Sequence, residues 1–127
     1  MNPDGCDFFG ASPVLPVHDL PATVAYYVTS LGFMADPLWG NPPSHASVHQ
    51  GRVGIQFTQA PLSYVVTDYP GWSYVFVTDA DQLCSRFRSH GVIITREPFS
   101  YDYGLREFEI VDCNGYRLRF GQYLESD

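Results

Sequence analysis

Charged side chains alternate with apolar ones near the end of the chain, where they could hold a charged ligand. Glu107 and Glu109 are separated by the apolar Phe108, and Arg119 lies between two further apolar residues. Because successive side chains of a strand point to opposite faces, we expect the three charged side chains to share one face. Two carboxylates beside a guanidinium could bind a ligand or form an ion pair that neutralises a half-buried arginine. The pattern is compatible with both roles.

Histidines and cysteines are the other candidates for chemistry, here as metal ligands. His45 and His49 are four residues apart, a spacing that suits a metal site on a helix. On a strand the same spacing separates the rings by about 13 Å, at roughly 3.3 Å per residue, which is too far to share one ion. Cys6, Cys84 and Cys113 include no close pair. The spacings therefore predict neither a metal site nor a disulfide framework.

Aromatic residues and acidic charge point to one class of ligand. Phe, Trp and Tyr make up 16% of the 127 residues, and fourteen acidic residues against seven basic ones give a net charge of −7. An acidic surface repels phosphate backbones and anionic lipids, so we expect neither nucleic acid nor membrane as a partner. The chain has no signal-peptide pattern and no run of about 18 apolar residues, which predicts a cytoplasmic protein. A cationic ligand fits both the charge and the aromatic rings.

Two helices are predicted at equivalent places in the two halves of the chain. Asp19 is a favourable N-cap for the first helix, and Gly32 follows its last turn. Asp79 and Gly91 delimit the second helix in the same way. Apolar residues at helical spacing form a stripe on each helix, and they are Leu20, Val24, Tyr27, Val28 and Leu31 in the first and Ala80, Leu83, Cys84 and Phe87 in the second.

An internal repeat with an offset of about sixty residues relates these halves. Val-His-Asp at 17–19 corresponds to Val-Thr-Asp at 77–79, and each motif follows a short strand-like run. The other predicted strands are about 34–39, 46–50 and 52–58 in the first half and 92–96, 105–112 and 116–122 in the second. Asn114-Gly115 between the last two strands predicts a hairpin. The sequence thus predicts one α+β domain over residues 1–127, with βαβββ units at about 12–59 and 72–122 and a linker at 60–71.

Two such units placed edge to edge would form a half-barrel around a cleft. In the last strand of the first half, Val53, Ile55 and Phe57 form the apolar set, so Gln56 points to the opposite side. This position corresponds to Arg119 in the second half. We therefore expect Gln56 and Arg119 to face the cleft.

The repeat and three motifs resemble the vicinal oxygen chelate superfamily, which includes glyoxalase I, extradiol dioxygenases, fosfomycin-modifying enzymes and bleomycin resistance proteins. The motifs are Pro-Val-Leu-Pro-Val-His-Asp-Leu at 13–20, Tyr-Tyr-(x)3-Leu-Gly-Phe at 26–33 and the run from Gly104 to Phe120. The superfamily's metal-binding places fall here on Ser12, Gln56, Trp72 (or Ser73) and Arg119. Since a guanidinium has no lone pair to donate, the resemblance implies a member without the metal site.

By motif, the resemblance is greatest to the bleomycin resistance proteins, which are not enzymes but dimers that sequester a cationic, flat drug in clefts between subunits. It implies a homodimer and a metal-independent protein that sequesters a cationic, planar-aromatic antibiotic, with no cofactor and no catalytic residue. The alternatives are a metal-dependent lyase or dioxygenase of the superfamily and a binding module for another metabolite. The predicted ligand-binding residues are Trp39, Gln56, Trp72, Tyr74, Tyr101, Tyr103, Glu107, Glu109 and Arg119.

Overall fold

Two similar units, each with one helix and four strands, make up the protein in a computed structural model that describes residues 5–125. The first unit consists of β1 (Val14–Val17), α1 (Leu20–Thr29), β2 (Met34–Ala35), β3 (His45–Gln50) and β4 (Val53–Gln59). The second consists of β5 (Ser73–Phe76), α2 (Ala80–Ser89), β6 (Ile93–Tyr101), β7 (Leu105–Val111) and β8 (Arg117–Tyr123). The predicted α+β fold with two βαβββ units is confirmed. Neither ten-residue helix of the described chain is long enough to cross a membrane.

Each unit forms its own four-stranded sheet, and the two sheets have the same topology. The strand orders are β1-β4-β3-β2 and β5-β8-β7-β6, with the first and last strands of each unit parallel and the other pairs antiparallel. Val14 pairs with Gln56 in the first sheet, and Tyr74 pairs with Arg119 in the second. The register therefore makes Gln56 and Arg119 equivalent. The sheets are open, and the predicted half-barrel does not close into one sheet.

The two helices begin at the predicted caps. The Asp19 carboxylate accepts the amide N–H of Ala22 at 3.0 Å, and the Asp79 carboxylate accepts that of Gln82 at 3.0 Å. Each cap satisfies one of the N–H groups that the first turn leaves unpaired. Gly32 and Gly91 follow the helices with φ angles of 80° and 78°, the left-handed conformation that favours glycine at this place.

One member of the predicted helical stripe lies on the surface. Val28 is 38% exposed, whereas Thr23 is buried at 1%. Thr23 tolerates burial because its hydroxyl donates to the Asp19 carbonyl at 2.8 Å and accepts from Asn114 Nδ2 at 3.0 Å. Val28 directly follows the buried Tyr27 and is rotated about 100° around the helix axis from it, so it leaves the buried face.

The hairpin between β7 and β8 ties the second unit to the first. The Tyr27 hydroxyl of α1 donates to the buried Asp112 carboxylate at 2.6 Å. The same carboxylate accepts the backbone N–H groups of Asn114 and Tyr116 at 2.8 and 2.9 Å and so holds the turn. The Tyr116 hydroxyl donates to the Pro16 carbonyl of β1. Buried apolar residues of both units form a continuous core.

Two predicted strands differ from the observed ones. The strand expected at 34–39 is confined to Met34–Ala35, and Trp39 retains only an isolated bridge to His45. Pro37 has no N–H to donate and interrupts the ladder between them. Strand β6, expected at 92–96, continues to Tyr101. Register shifts after Ile94 and Arg96 let the strand bend and carry on. Tyr101 is therefore the last residue of this strand.

Candidate functional site

The second sheet has a charged and aromatic face on the side away from α2, which we call the open face. Glu107 and Glu109 from β7 and Arg119 from β8 lie on it, opposite the buried Phe108 and Phe120. The Arg119 Nε donates to the Glu109 carboxylate at 2.9 Å, and its Nη1 lies 3.7 Å from that of Glu107. The alternation in the sequence therefore predicted the shared face correctly. Whether these residues bind a ligand stays a prediction.

Glu109 and Arg119 form a buried ion pair. The Glu109 residue is 5% exposed, and its second oxygen accepts the Thr95 hydroxyl at 2.8 Å. Burial by itself raises the pKa of Glu109, but the hydrogen bonds from Arg119 and Thr95 outweigh burial and lower it. Glu109 is therefore held as a carboxylate.

Glu107 is covered by two tyrosines. It is 5% exposed, and it accepts the Tyr74 hydroxyl at 2.5 Å and the Tyr103 hydroxyl at 2.6 Å, one on each carboxylate oxygen. The hydrogen bond to Glu107 raises the pKa of Tyr103 to about 12. Burial and then the same acceptor raise the pKa of Tyr74. Both phenols are therefore neutral donors at physiological pH.

Trp72 lies over the positive charges of this face. Its ring centre is 4.0 Å from the guanidinium carbon of Arg119 and 5.2 Å from that of Arg117, within the range of a cation–π contact. Trp72 stays 42% exposed, so part of its ring is free to contact another molecule. It immediately precedes β5, whose pairing with β8 places it beside these arginines.

Two rows of rings flank the charged centre. The rings of Tyr101 and Tyr103 are stacked, with centroids 5.2 Å apart and planes at 4°, and those of Phe76 and Tyr123 are stacked at 5.3 Å and 6°. Three of the exposed rings, which were not predicted from the sequence, are Phe76 (55%), Phe99 (59%) and Tyr123 (69%). Phe76 could have been found, since period-two alternation puts it on the same side as Tyr74.

Trp39 and Gln56 lie apart from this cluster, on the first sheet. Trp39 is 71% exposed beside β3, and Gln56 is half-buried on β4. Among the hydrogen bonds, ion pairs and ring contacts of residues 5–125, none joins either side chain to the second sheet. A cavity of about 640 Å³ between the units is lined by Trp72, Tyr74 and Gly54 among others, but by none of the other seven predicted residues. One chain brings together seven of the nine predicted residues.

The positions at which the resemblance implied metal ligands make other contacts. The Ser12 hydroxyl donates to the Gly54 carbonyl at 3.0 Å, and Trp72 and Arg119 stack on each other. Elsewhere on the first sheet, His49 lies 3.8 Å from the Asp36 carboxylate, which also accepts the Ser47 hydroxyl at 2.7 Å. Between positions 5 and 125, no three His, Cys, Asp or Glu residues are grouped so as to hold a metal ion.

Several solved structures have the same fold. The protein is similar to the bleomycin-binding protein of bleomycin-producing Streptomyces verticillus, solved with copper(II)-bleomycin, at 26% identity, 94% coverage of this chain, 99% of that one and a TM-score of 0.76. TioX from Micromonospora sp. ML1 matches at 20% identity, 94% and 99% coverage and a TM-score of 0.72. The antibiotic-binding protein TnmS3 from Streptomyces sp. CB03234 matches at 20% identity, 88% and 93% coverage and a TM-score of 0.70.

Family comparison covers most of the chain. No curated protein matches it. Residues 11–120, which run from before β1 into β8 and include Glu107, Glu109 and Arg119, match the family model described as Glyoxalase/Bleomycin resistance protein/Dioxygenase superfamily. The protein therefore belongs to the Glyoxalase/Bleomycin resistance protein/Dioxygenase superfamily.

Proposed function

We propose that the protein is a metal-independent binder that sequesters a small cationic molecule with a planar aromatic group, such as an antibiotic, in the cytoplasm. The ligand would bind on the open face of the second sheet. One observation carries this proposal: exposed aromatic rings border a centre in which two carboxylates are buried around the Arg119 guanidinium. Rings supply stacking surfaces, and the surplus of buried negative charge favours a positive ligand.

Arg119 supports binding without a metal. Its guanidinium lies where the resemblance to the superfamily implies a metal-binding place, and it donates to Glu109 and stacks under Trp72. A permanently charged donor at this place would repel a divalent ion. Two of the proteins with similar structures are a bleomycin-binding protein and an antibiotic-binding protein, which supports an antibiotic as the ligand.

We further propose that the protein acts as a homodimer in which the first sheet of one copy faces the open face of the other. Phe76, Phe99, Tyr103 and Tyr123 are each more than half exposed on or beside the second sheet, a larger grouping of rings than solvent usually contacts. Such a dimer would bring Trp39 and Gln56 of one copy to the cluster of the other. It would complete the predicted site.

Fluorescence titration tests the ligand class. The variant Trp39→Phe leaves Trp72 as the sole tryptophan, since the chain has two, and therefore reports from the open face. We expect saturable quenching by metal-free bleomycin, which is cationic, and weaker quenching by a neutral planar aromatic of similar size. Tyr74→Ala in this background should weaken binding by about 1–3 kcal/mol, the range known for bases stacked on aromatic side chains.

A matched control and a metal analysis complete the test. Tyr26→Ala removes a tyrosine of α1 that packs edge-on against Tyr27 and does not line the cavity beside Trp72 and Tyr74, and it should leave the affinity unchanged. The proposal fails if neither compound quenches the tryptophan fluorescence of Trp39→Phe or of the wild-type protein. It also fails if the purified protein carries a stoichiometric divalent ion on its side chains and binds only through that ion, which would favour an enzyme of the superfamily.

A further inference from the structure

The Tyr74 ring crosses strand β8 at a residue without a side chain. Tyr74 pairs with Arg119 in the β5–β8 register, but its hydroxyl donates to Glu107, which pairs with Gly121. The side chain therefore runs diagonally across the sheet and passes over Gly121. A Cβ atom at position 121 would lie 2.6 Å from Cζ and 2.8 Å from Cε1 of Tyr74, and closer still to its hydroxyl oxygen. Carbon atoms do not approach this closely in folded proteins.

The first unit supplies an internal comparison. Equivalent register positions there hold Val14 in place of Tyr74 and Thr58 in place of Gly121. In the first unit, β1 has the short side chain of Val14 at this place, and the neighbouring strand β4 carries the β-branched Thr58. Gly121 is also in an extended strand and has no left-handed φ angle, so the backbone itself does not require glycine. The close approach of Tyr74 is what requires it.

We propose that Gly121 is a positioning residue that gives the open face its ligand selectivity. By lacking a side chain it lets the Tyr74 ring lie over β8 and cover Glu107, so that a ligand meets a phenol ring above the carboxylate. Such a covered carboxylate favours flat, delocalised cations over compact ammonium ions, because a flat cation stacks on the ring. A compact ammonium ion gains most from direct contact with a bare carboxylate. This inference rests on the proposed function for its ligand but not for its geometry.

A double-mutant cycle on thermal stability tests the geometry without any ligand. Gly121→Ala should lower the melting temperature of the wild-type protein by about 5 °C or more, because the methyl group displaces Tyr74 from Glu107. In a Tyr74→Ala background the same change should leave the melting temperature unchanged or raise it, since alanine restricts the unfolded chain more than glycine does. Equal losses in both backgrounds would overturn the positioning role.

Calorimetric titration with two probes tests the selectivity. Proflavine serves as the flat aromatic cation, and cadaverine, an alkyl diammonium ion, serves as the cation whose charged groups are compact. We expect Gly121→Ala to weaken proflavine binding about tenfold and to leave cadaverine binding unchanged or tighter. Tyr74→Phe, which keeps the ring and loses only the hydroxyl, should weaken proflavine by less than about threefold. Equal weakening of both probes by Gly121→Ala would refute the selectivity.

The two proposals can fail separately. If the wild-type protein binds neither probe and no bleomycin, the proposed function and the selectivity both fail. The melting-temperature cycle still decides whether Gly121 positions Tyr74. If bleomycin binds but the cycle shows no coupling between positions 74 and 121, only the inference about Gly121 is wrong.

Discussion

The guanidinium carbon of Arg119 lies 4.0 Å from the centre of the Trp72 ring. The indole therefore covers one side of the guanidinium, which also donates a hydrogen bond to Glu109. The Arg119 side chain is only 15% exposed and that of Glu109 only 6%. A buried ion pair of this kind contributes little net stability compared with apolar residues, but removing one partner is costly. Substituting one member of the pair should therefore have a large effect on stability.

We expect Arg119→Met to lower the free energy of unfolding by about 3–5 kcal/mol at pH 7, because Glu109 would stay buried without its cation. Urea unfolding followed by circular dichroism measures this loss. Arg52→Met, at an exposed turn position, should change the stability by less than about 0.5 kcal/mol. A loss below about 1 kcal/mol for Arg119→Met would show that Glu109 is not held by this arginine.

Acid should reduce the difference in stability between the wild-type protein and Arg119→Met. The pKa of Glu109 is lower in the folded protein than its ordinary value of 4.5, so the unfolded chain binds the proton more readily. Its contribution to stability is complete above the ordinary value and is lost as the pH falls through the lowered pKa. We expect wild-type stability to fall from pH 6 to pH 3 more steeply than that of Arg119→Met. Parallel curves in urea unfolding would contradict the assignment.

Tyr27→Phe should cost about 1–3 kcal/mol, because it leaves an oxygen of the 5% exposed Asp112 carboxylate without its donor. Burial already raises the pKa of Asp112, and the loss of this hydrogen bond should raise it further. The control is Tyr26→Phe, whose half-buried hydroxyl has no hydrogen-bond partner within the described chain. Chemical denaturation of both variants decides the point. Similar small effects would exclude Asp112 as the link between the units.

Phe76→Ser should weaken self-association, because Phe76 lies on the face that we propose to be covered in a homodimer. Sedimentation velocity over a range of protein concentrations should show dimers for the wild-type protein and a larger monomer fraction for the variant. Leu62→Ser makes a comparable change at a residue of the linker that is 94% exposed, and its dimer fraction should equal that of the wild type. A monomeric wild-type protein would remove the dimer proposal.

Asp19→Ala and Asp79→Ala should each lower the free energy of unfolding by about 1 kcal/mol, since each carboxylate accepts one otherwise unpaired N–H group. The two caps lie on different helices, so their losses should add in the double variant. Asp102→Ala, in an exposed turn, removes the same charge without a cap and should be nearly neutral. Equal effects at all three positions would indicate a general charge effect.

Local periodicity was enough to predict the helices, the repeat and most of the open face. The caps Asp19 and Asp79 and the shared side of Glu107, Glu109 and Arg119 follow from spacing alone. Such patterns are reliable because a strand exposes alternate residues and a capped helix places its apolar residues on one side.

Contacts between distant strands could not be predicted in this way. The Tyr103 and Tyr74 hydroxyls meet on Glu107 only because β5, β7 and the turn after β6 converge. The extension of β6 to Tyr101 depends on bulges, which leave no clear mark in the sequence. The separation of Trp39 and Gln56 from the second sheet depends on how the two units pack, which spacing within one unit does not define.

Because two phenols cover Glu107, a cation that is attracted by the Glu107 charge would finally contact the rings and not the carboxylate. A carboxylate under two rings still attracts positive charge through space, together with the acidic surface that gives the chain its net charge of −7. At physiological ionic strength, salt screens this attraction at distances beyond about 8–10 Å, but it has little effect on stacked rings at contact. Raising the ionic strength should therefore slow the arrival of a cationic molecule and leave the lifetime of its complex nearly unchanged.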